Sequence, residues 1–263
     1  MKVILSRKGF DSGAGGYPSP IFPDGSMLSL PIPSTEDMLR YADVAYKGDS
    51  LSTWMRRLGL PARLRRERCH LDPDLDRDSA PRGRDWRPLF GSVGAAGTHL
   101  LDNGIGPGDL FLFFGWFRHV APQGRGKYRY VGPDLHVIFG GMRVRHCWRD
   151  TFPEYVRHHP HSARAYQQRK GNVVFEAAND HTGDLAGAWT FPFSDHRVLT
   201  RPGYSRSRWA LPKDVFADRP MTYHSPASWK SEYFQSAARG QEFILDADRA
   251  LLEWCRSIVA KGN

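Results

Sequence analysis

The clearest pattern in the chain is a continuous apolar run within residues 109–117, introduced by a turn of glycine and proline. A run of this length between turn residues predicts a strand that is buried on both faces. The apolar stretch at 135–144 predicts its partner strand, and the basic residues at 125–130 predict the hairpin between them. Further strands are predicted at 1–6 and at 172–177.

Other segments carry weaker signals. Residues 27–33 alternate and then meet prolines, which predicts a short strand. Ser34 and Asp37 have the spacing of a helix start, and they predict a helix that continues to residue 46. The remaining predictions are a helix at 51–58, an irregular loop at 71–88, and an amphipathic helix at 242–259 with apolar residues at helical spacing.

These elements mix helices and strands without the regular repeat of a βαβ fold, so the predicted fold class is α+β. We expect a single domain over residues 1–263, with a mixed, mainly antiparallel central sheet flanked by helices. The length of 263 residues and the apolar content of 40% are sufficient for such a core.

The chain is basic, with 37 lysines and arginines against 28 acids and a formal net charge of +9. Most of these cations are arginines, whose planar guanidinium suits bidentate contacts with phosphate. Nucleic acid is therefore the predicted partner, and a merely solvated basic surface is the alternative. The predicted DNA contacts are Arg56, Arg57, Arg63, Arg65, Arg66 and Arg68, and a second set, Arg201, Arg206 and Arg208, interleaved with Tyr204 and Trp209.

The three cysteines are widely spaced, which argues against a disulfide framework and indicates a reducing cytoplasm. We expect no signal peptide, and no apolar run reaches the roughly twenty residues of a membrane span. The histidines at 158–161 suggest a metal, but Pro160 prevents two rings from sharing a helical face, and no nearby cysteine or pair of acids completes a ligand set. We therefore predict no metal site and no cofactor.

The first predicted strand leads into a loop in which Arg7, Lys8 and Asp11 precede a glycine-rich segment at 13–16. Glycines let a ligand approach the backbone, so this loop is a candidate polar site at a sheet edge. The glycine spacings of dinucleotide-binding and Walker A loops are both absent. The alternative interpretation is a surface loop whose charges are solvated.

Asp11 and Asp72 are the candidate catalytic acids, because each lies in a loop beside cations or a histidine. A carboxylate there can stabilise positive charge on a sugar or activate an attacking water. The alternative for Asp72 is a turn or a helix cap. Lys8 is a third catalytic candidate, as an amine nucleophile, although phosphate binding beside Arg7 is the stronger interpretation.

Several stretches of the chain resemble one known family. Residues 6–12, 18–21, 70–74, 108–115, 135–138 and 199–212 resemble the third class of nucleotide-modification-associated domains, and the resemblance covers nearly the whole chain. It implies a bacterial or phage protein that acts on double-stranded DNA with hypermodified bases. It further implies a DNA glycosylase that removes glucosylated hydroxymethylcytosine from phage DNA as antiviral defence.

A glycosylase of this kind flips its target nucleotide, because the glycosidic carbon is out of reach inside the base stack. A glucosylated base also needs a roomy, polar pocket. The candidate pocket residues are Arg7, Phe10, Ser12, Tyr17, His70, His99, Trp116 and His136. Two alternatives stay open: a non-catalytic reader that holds a modified base, and a transferase that adds a group to DNA bases.

Overall fold

A computed structural model gives the fold and describes residues 1–178, 185, 187–238 and 240–260. Its strands are β1 (Lys2–Arg7), β2 (Ser19–Ile21), β3 (Pro33–Ser34), β4 (Ala45–Tyr46), β5 (Asp49–Ser50), β6 (Arg68–Cys69), β7 (Leu89–Ser92), β8 (Leu110–Gly124), β9 (Lys127–Trp148), β10 (Val173–Ala177), β11 (Ala188–Thr190), β12 (Arg208–Trp209), β13 (Phe234–Gln235) and β14 (Glu242–Asp246). Its α-helices are α1 (Leu51–Arg57), α2 (Ala62–Arg65), α3 (Gly94–Asp102), α4 (Arg164–Gln167), α5 (Lys213–Phe216) and α6 (Arg249–Val259). None of these helices has both the length and the apolar character that a membrane crossing requires.

Eight of the described strands form one sheet, in the order β14-β1-β8-β9-β10-β7, with β2 added to β8 and β11 added to β9. β1 and β2 run parallel to β8, whereas the other pairs in this sheet are antiparallel. The predicted α+β class with a mixed, mainly antiparallel sheet is confirmed. The predicted hairpin is also confirmed as the β8–β9 turn, and the predicted first helix past residue 50 is α1.

The central strand β8 is buried on both faces, because successive side chains of a strand point in opposite directions. Leu110, Leu112 and Phe114 lie in the core that α5 and α6 cover. Phe111 and Phe113 lie in the opposite core, to which α3 contributes. Burying one such side chain contributes roughly 2 to 3 kcal/mol of transfer free energy, so β8 is the main apolar anchor of the sheet.

A third core lies beside the sheet and supports the arginine-rich segment. Phe10, Leu30 and Tyr41 pack there with Met55 of α1. The Tyr41 hydroxyl is buried and donates to the Pro31 carbonyl at 2.8 Å. The short pair of β3 and β6 continues from this core and leads the chain directly to residue 70. The third core thus connects the N-terminal loop to the segment that carries Asp72.

The strand predicted at 27–33 is wrong. Met27 makes only an isolated bridge to Ile21, and the Leu30 amide donates to the Ser19 hydroxyl at 3.0 Å instead of to a neighbouring strand. Prolines within the segment remove the amide donors that a ladder needs.

The helix predicted at 34–46 is also wrong. Ser34 does accept from the Asp37 amide at 3.3 Å, as a cap would, but no helix follows. The Asp37 carboxylate accepts a hydrogen bond from His70, and the Tyr41 side chain is fully buried in the third core. These tertiary contacts outweigh the weak local preference for a helix.

The C-terminal helix begins later than predicted. Residues 242–246 form β14, which pairs antiparallel with β1, and only Arg249–Val259 is helical. Asp248 marks the boundary, because its carboxylate accepts from the Leu251 amide at 2.9 Å and caps α6. The apolar residues of β14 and those at the start of α6 happen to follow one another at helical spacing, so the sequence pattern predicted a single helix.

Candidate functional site

Two adjoining cavities lie where β1 ends. Their volumes are about 270 Å³ and about 810 Å³. Arg7, Asp11 and Gln241 line both of them, so the loop that follows β1 contributes to a shared wall. The parallel pairing with β8 places Arg7 opposite Phe114 at the carboxyl end of β1. The loop singled out from the sequence therefore does present a polar site at the end of a strand.

The smaller cavity, called the histidine cavity below, is lined by His70, Asp72 and His161. His70 and Asp72 follow β6, whereas His161 lies in the short 3-10 turn Pro160–Ser162. One ligand-capable atom from each residue lies within 4.8 Å of the others. The fold thus brings together two loops whose histidines, His70 and His161, are 91 positions apart in the chain.

Asp72 is a buried carboxylate in surroundings that favour its ionised form. Its Oδ1 atom accepts from the Gly91 amide at 2.8 Å and from His159 Nε2 at 3.1 Å. Burial alone raises the pKa of this carboxyl group, but the His159 hydrogen bond and the neighbouring histidines outweigh burial and hold the pKa well below its usual range. Because these partners are distant in sequence, the side chain is not a local turn or helix cap.

His70 is oriented by Asp37. Its Nδ1 atom lies 2.8 Å from Asp37 Oδ2, and a carboxylate oxygen accepts, so His70 Nδ1 carries the hydrogen. The Tyr166 hydroxyl donates to the same Asp37 oxygen at 3.3 Å. Burial raises the pKa of Asp37, but the His70 hydrogen bond is the main effect that opposes burial, and the net pKa is lowered. The Nε2 atom of His70 therefore lies on the side of the ring that points away from Asp37.

His161 is oriented in the same way by Asn172. Asn172 Nδ2 donates to the His161 carbonyl at 2.9 Å, which turns the amide oxygen toward His161 Nδ1 at 3.0 Å. An amide oxygen only accepts, so His161 carries its hydrogen on Nδ1. Burial lowers the pKa of His161 to about 3. The ring is neutral at neutral pH, and its Nε2 atom lies 3.1 Å from His70 Nε2.

Gly91 of β7 is required by the packing of these rings. A Cβ atom at this position would lie 2.2 Å from His161 Cδ2 and 2.8 Å from His159 Cε1. Both distances are far below van der Waals contact. The missing side chain is therefore what lets the strand backbone approach the cluster and donate to Asp72.

Lys8 lies at the edge of the histidine cavity in a buried ion pair. Its Nζ atom is 2.8 Å from Glu242 Oε1, and the two side chains are only 10% and 1% exposed. The ammonium also lies 4.4 Å from the centre of the Phe90 ring. An amine held in an ion pair of this kind is not available as a nucleophile. The catalytic role of Lys8 stays a prediction, and this environment supports a structural or phosphate-binding role.

The larger cavity, called the tryptophan cavity below, is lined by Trp116, His136 and Arg206. The Arg206 guanidinium lies 4.0 Å from the centre of the Trp116 ring and donates to the Ser12 hydroxyl. Trp116 Nε1 is buried and has no hydrogen-bond partner among the described residues. A cation and a flat ring in one cavity suit a planar base.

His136 is fixed by Trp209, whose indole Nε1 donates to His136 Nδ1 at 3.0 Å. A neutral ring that accepts at Nδ1 carries its hydrogen on Nε2. Burial, with a further contribution from the charges of Arg7 and Arg206, lowers the pKa of His136 to about 3. The tryptophan cavity is therefore lined by a histidine that stays neutral and retains one N–H donor.

Asp11 uses one of its two carboxylate oxygens within its own loop. Oδ1 accepts from the Gly13 and Ala14 amides, each at 2.7 Å. No hydrogen bond of Oδ2 is found within the part of the chain that the structure describes. Arg7 donates to the Ala238 carbonyl at 3.2 Å and to the Gly240 carbonyl, so it ties this loop to the opposite rim. Asp11 thus combines a rigid position with a free oxygen.

Three predicted pocket residues lie away from the two cavities or only touch them. His99 lines a separate cavity and lies 3.1 Å from the Thr222 hydroxyl through Nε2. Tyr17 packs, partly buried, against the third core. Phe10 is almost fully buried in that core and contributes to the wall of the tryptophan cavity. Their roles in base recognition stay predictions.

The first arginine set lies on and after α1. Arg56, Arg63 and Arg66 are exposed, and the set also includes the half-buried Arg57, Arg65 and Arg68. Arg63 is 95% exposed and lies 4.0 Å from Glu67, so this pair contributes little to stability. The exposed members can reach a phosphate backbone, whereas Arg57 is paired with Asp49 at 2.8 Å. The contact of this set with DNA stays a prediction.

The second arginine set does combine cations with rings in three dimensions. Arg201 and Arg208 lie 5.5 Å and 5.8 Å from the centre of the Tyr204 ring, and Arg208 lies 5.0 Å from Tyr233. Arg206 belongs to the same set and lines the tryptophan cavity. Arg201, Arg208 and Tyr204 therefore form a basic, aromatic rim beside that cavity. The other ring named from the sequence, Trp209, is fully buried in the core and does not belong to this rim.

Sequence reasoning missed most of the histidine cavity. It placed no functional role on Asp37, Gly91, Tyr166 or Asn172. The expectation that no pair of acids lies near the histidine motif is wrong, because Asp72 lies 3.1 Å from His159 and Asp74 lies 3.5 Å from His158. In the sequence, this cavity was indicated only by the histidine motif at 158–161 and by the closely spaced histidine and acids at 70–74.

Comparisons with known proteins give one finding. No curated protein and no solved structure matches the chain. A family model described as nucleotide modification associated domain 3 matches residues 2–246, a range that contains both cavities. This description connects the chain with modified nucleotides, in agreement with the family resemblance seen in six separate stretches of the sequence. The chain therefore belongs to the nucleotide modification associated domain 3 family.

Proposed function

We propose that the protein is a DNA glycosylase that excises glucosylated hydroxymethylcytosine from phage DNA and leaves an abasic site. One observation carries the proposal: Asp11 lies on the wall shared by a large polar cavity and the buried histidine–aspartate cluster. Base excision needs space for a flipped base, a carboxylate beside the sugar and polar groups that handle water. The shared wall supplies these in one place.

The tryptophan cavity is the proposed base pocket. Its volume of about 810 Å³ lies within the range of roughly 300 to 1,000 Å³ that is common for sites of drug-sized ligands. Cytosine alone would leave much of this space empty, whereas a base with an attached hexose would use it. Trp116 and Arg206 offer stacking surfaces, and the N–H donor of His136 suits a sugar hydroxyl.

Asp11 is the proposed catalytic carboxylate. When the C1′–N bond breaks, its electron pair stays on the base and positive charge develops on the deoxyribose. The free Oδ2 of Asp11 would stabilise that charge, and water then adds to C1′ while a proton passes to the departing base. Asp72 is the second candidate, because its ionised carboxylate lines the adjoining cavity.

DNA binding is proposed to come from arginines outside the cavities. The formal charge of +9 and the exposed Arg56, Arg63 and Arg66 favour contacts with phosphate, which position the duplex without reading its sequence. The rim of Arg201, Arg208 and Tyr204 lies beside the proposed base pocket and suits an unstacked nucleotide. Affinity and base choice would thus come from different surfaces.

The test is incubation with duplex DNA that carries the glucosylated base, followed by an aldehyde-reactive assay for abasic sites and mass spectrometry for free base. We expect release by the wild-type protein and loss of release in Asp11→Asn, with DNA affinity unchanged within a few-fold. Asp72→Asn is the second arm. Asp24→Asn is a matched control, because Asp24 also accepts from a loop amide, that of Ser26, but lines neither cavity.

Each alternative has its own outcome in this assay. Tight binding of modified DNA without release would overturn the glycosylase and favour a reader. A gain of mass on the base, without loss of the base, would favour a transferase. Full release by Asp11→Asn would remove Asp11 from the reaction.

A further inference from the structure

Two imidazole nitrogens of the histidine cavity face each other. The Nδ1 atoms of His70 and His161 are held by Asp37 and by Asn172, so the Nε2 atom of each ring is left to face the other ring. These two Nε2 atoms are 3.1 Å apart. Two ring nitrogens at this distance need a proton or a metal cation between them.

Asp72 supplies a third electron-pair donor to the same point. Its Oδ1 atom is occupied by the Gly91 amide and by His159, but Oδ2 has no hydrogen-bond donor among the described residues. Asp72 Oδ2 lies 3.8 Å from His70 Nε2. The arrangement is therefore two imidazole nitrogens and one carboxylate oxygen, gathered within 4.8 Å of one another.

The spacing of these atoms fits a metal ion. Ligand bonds of about 2.0 to 2.1 Å in a tetrahedral site place neighbouring ligand atoms about 3.4 Å apart. The observed separations of 3.1 Å and 3.8 Å lie on either side of this value. All three ligand atoms lie within 4.8 Å of one another, so movement of the side chains within the cavity can bring them to bonding distance around one ion.

The surroundings of the three side chains also match a metal site. Metal-binding histidines usually donate their second N–H to a carboxylate or a carbonyl, which fixes the tautomer and the ring. Asp37 does this for His70 and Asn172 does it for His161. His159 and the Gly91 amide hold the other oxygen of Asp72. All three ligands are therefore oriented before any ion binds.

We propose that His70 Nε2, His161 Nε2 and Asp72 Oδ2 bind one divalent first-row transition-metal cation of the Zn²⁺ type. Two imidazoles with one carboxylate suit such a cation, whereas Mg²⁺ prefers oxygen ligands alone. Three protein ligands leave at least one coordination position, and the cavity gives water or a substrate oxygen access to it. The inference goes beyond the proposed function, because binding of the ion requires no DNA.

The test is titration of the EDTA-treated full-length protein with Zn²⁺ by calorimetry, and with Co²⁺ by visible absorption, in the absence of DNA. We expect one equivalent of either ion to bind. His161→Gln and His70→Gln should each weaken binding at least about a hundredfold, since removal of an outer-shell partner alone costs about 10- to 100-fold. His158→Gln is the matched control: it belongs to the same motif but lies 3.5 Å from Asp74, outside the three ligands. Its binding should equal that of the wild type.

Asp37→Asn keeps the proposal testable if a ligand variant fails to fold. It leaves the three ligands in place and should weaken Zn²⁺ binding about 10- to 100-fold with unchanged stoichiometry. Absence of stoichiometric binding by the wild-type protein would overturn the proposal. So would a wild-type affinity in His161→Gln, or a proton shared between the two Nε2 atoms by ¹⁵N NMR that Zn²⁺ does not displace. Failure of base release leaves these measurements unaffected.

Discussion

Replacing Gly91 by alanine tests whether the histidine cluster depends on the close approach of β7. The added Cβ atom would lie 2.2 Å from His161 Cδ2 and 2.8 Å from His159 Cε1, where ordinary carbon contacts need about 3.5 Å or more. The strand or the rings must therefore move by about 1 Å. Moving the strand would also strain the 2.8 Å hydrogen bond from the Gly91 amide to Asp72.

The expected cost follows from these two effects. Overpacking a well-packed site costs about 1 to 3 kcal/mol, and weakening a hydrogen bond to a charged group adds about 1 kcal/mol. We therefore expect Gly91→Ala to lower the free energy of unfolding by about 2 to 4 kcal/mol. Urea unfolding followed by tryptophan fluorescence measures this difference. Base release should fall at least about tenfold under conditions in which the variant is still folded, because a small displacement of catalytic groups is costly.

Gly83→Ala is the matched control. A Cβ atom at Gly83 meets no atom within 4 Å, and its backbone is outside the left-handed region. Its stability should stay within about 0.5 kcal/mol of the wild type. If Gly91→Ala were as stable and as active as Gly83→Ala, the packing described for the histidine cavity would be wrong.

Two further predictions concern charge. Because burial lowers the pKa of His136 from 6.5 to about 3, only the unfolded state takes up this proton between those values, so stability is complete above pH 6.5 and falls as the pH drops toward 3. The loss should approach about 5 kcal/mol, and unfolding curves of His136→Gln should show a weaker pH dependence; equal pH dependence would refute the assignment. Replacing Arg63, Arg65 and Arg66 together by alanine should weaken binding to modified and unmodified duplexes alike and flatten the salt dependence of affinity. An unchanged salt slope would show that this face does not contact DNA.

The sheet was largely predictable because its signals are local. The apolar run of β8 and the strand that leads into Arg7 are visible in the order of residues alone. The predictions at 34–46 and 242–259 were wrong although the capping residues in both segments do form the expected hydrogen bonds. Ser34 caps a turn instead of a helix. Asp248 caps α6, and the residues before it, which the sequence assigned to the first turns of the helix, form β14.

The candidate site was predictable only in part. Arg7, Asp11, Trp116 and His136 were singled out from their types and neighbours, and they do line cavities at the end of β1. The contact of Asp72 with His159 joins positions 87 residues apart, and nothing in the local sequence reports such a distance. Asn172 was also invisible, because its role is to orient the His161 ring, which only tertiary structure reveals.

The most direct test of the proposed function compares two duplexes that differ only in one base, glucosylated hydroxymethylcytosine or cytosine, in single-turnover base release. Without the sugar, the polar groups of the tryptophan cavity lose their partners, and each unpaired buried group costs about 1 to 3 kcal/mol. Two such groups suppress the rate on cytosine by roughly a hundredfold or more. We expect release from the modified duplex and no detectable release from the unmodified one. Equal rates on both duplexes, or no release from either, would contradict the account.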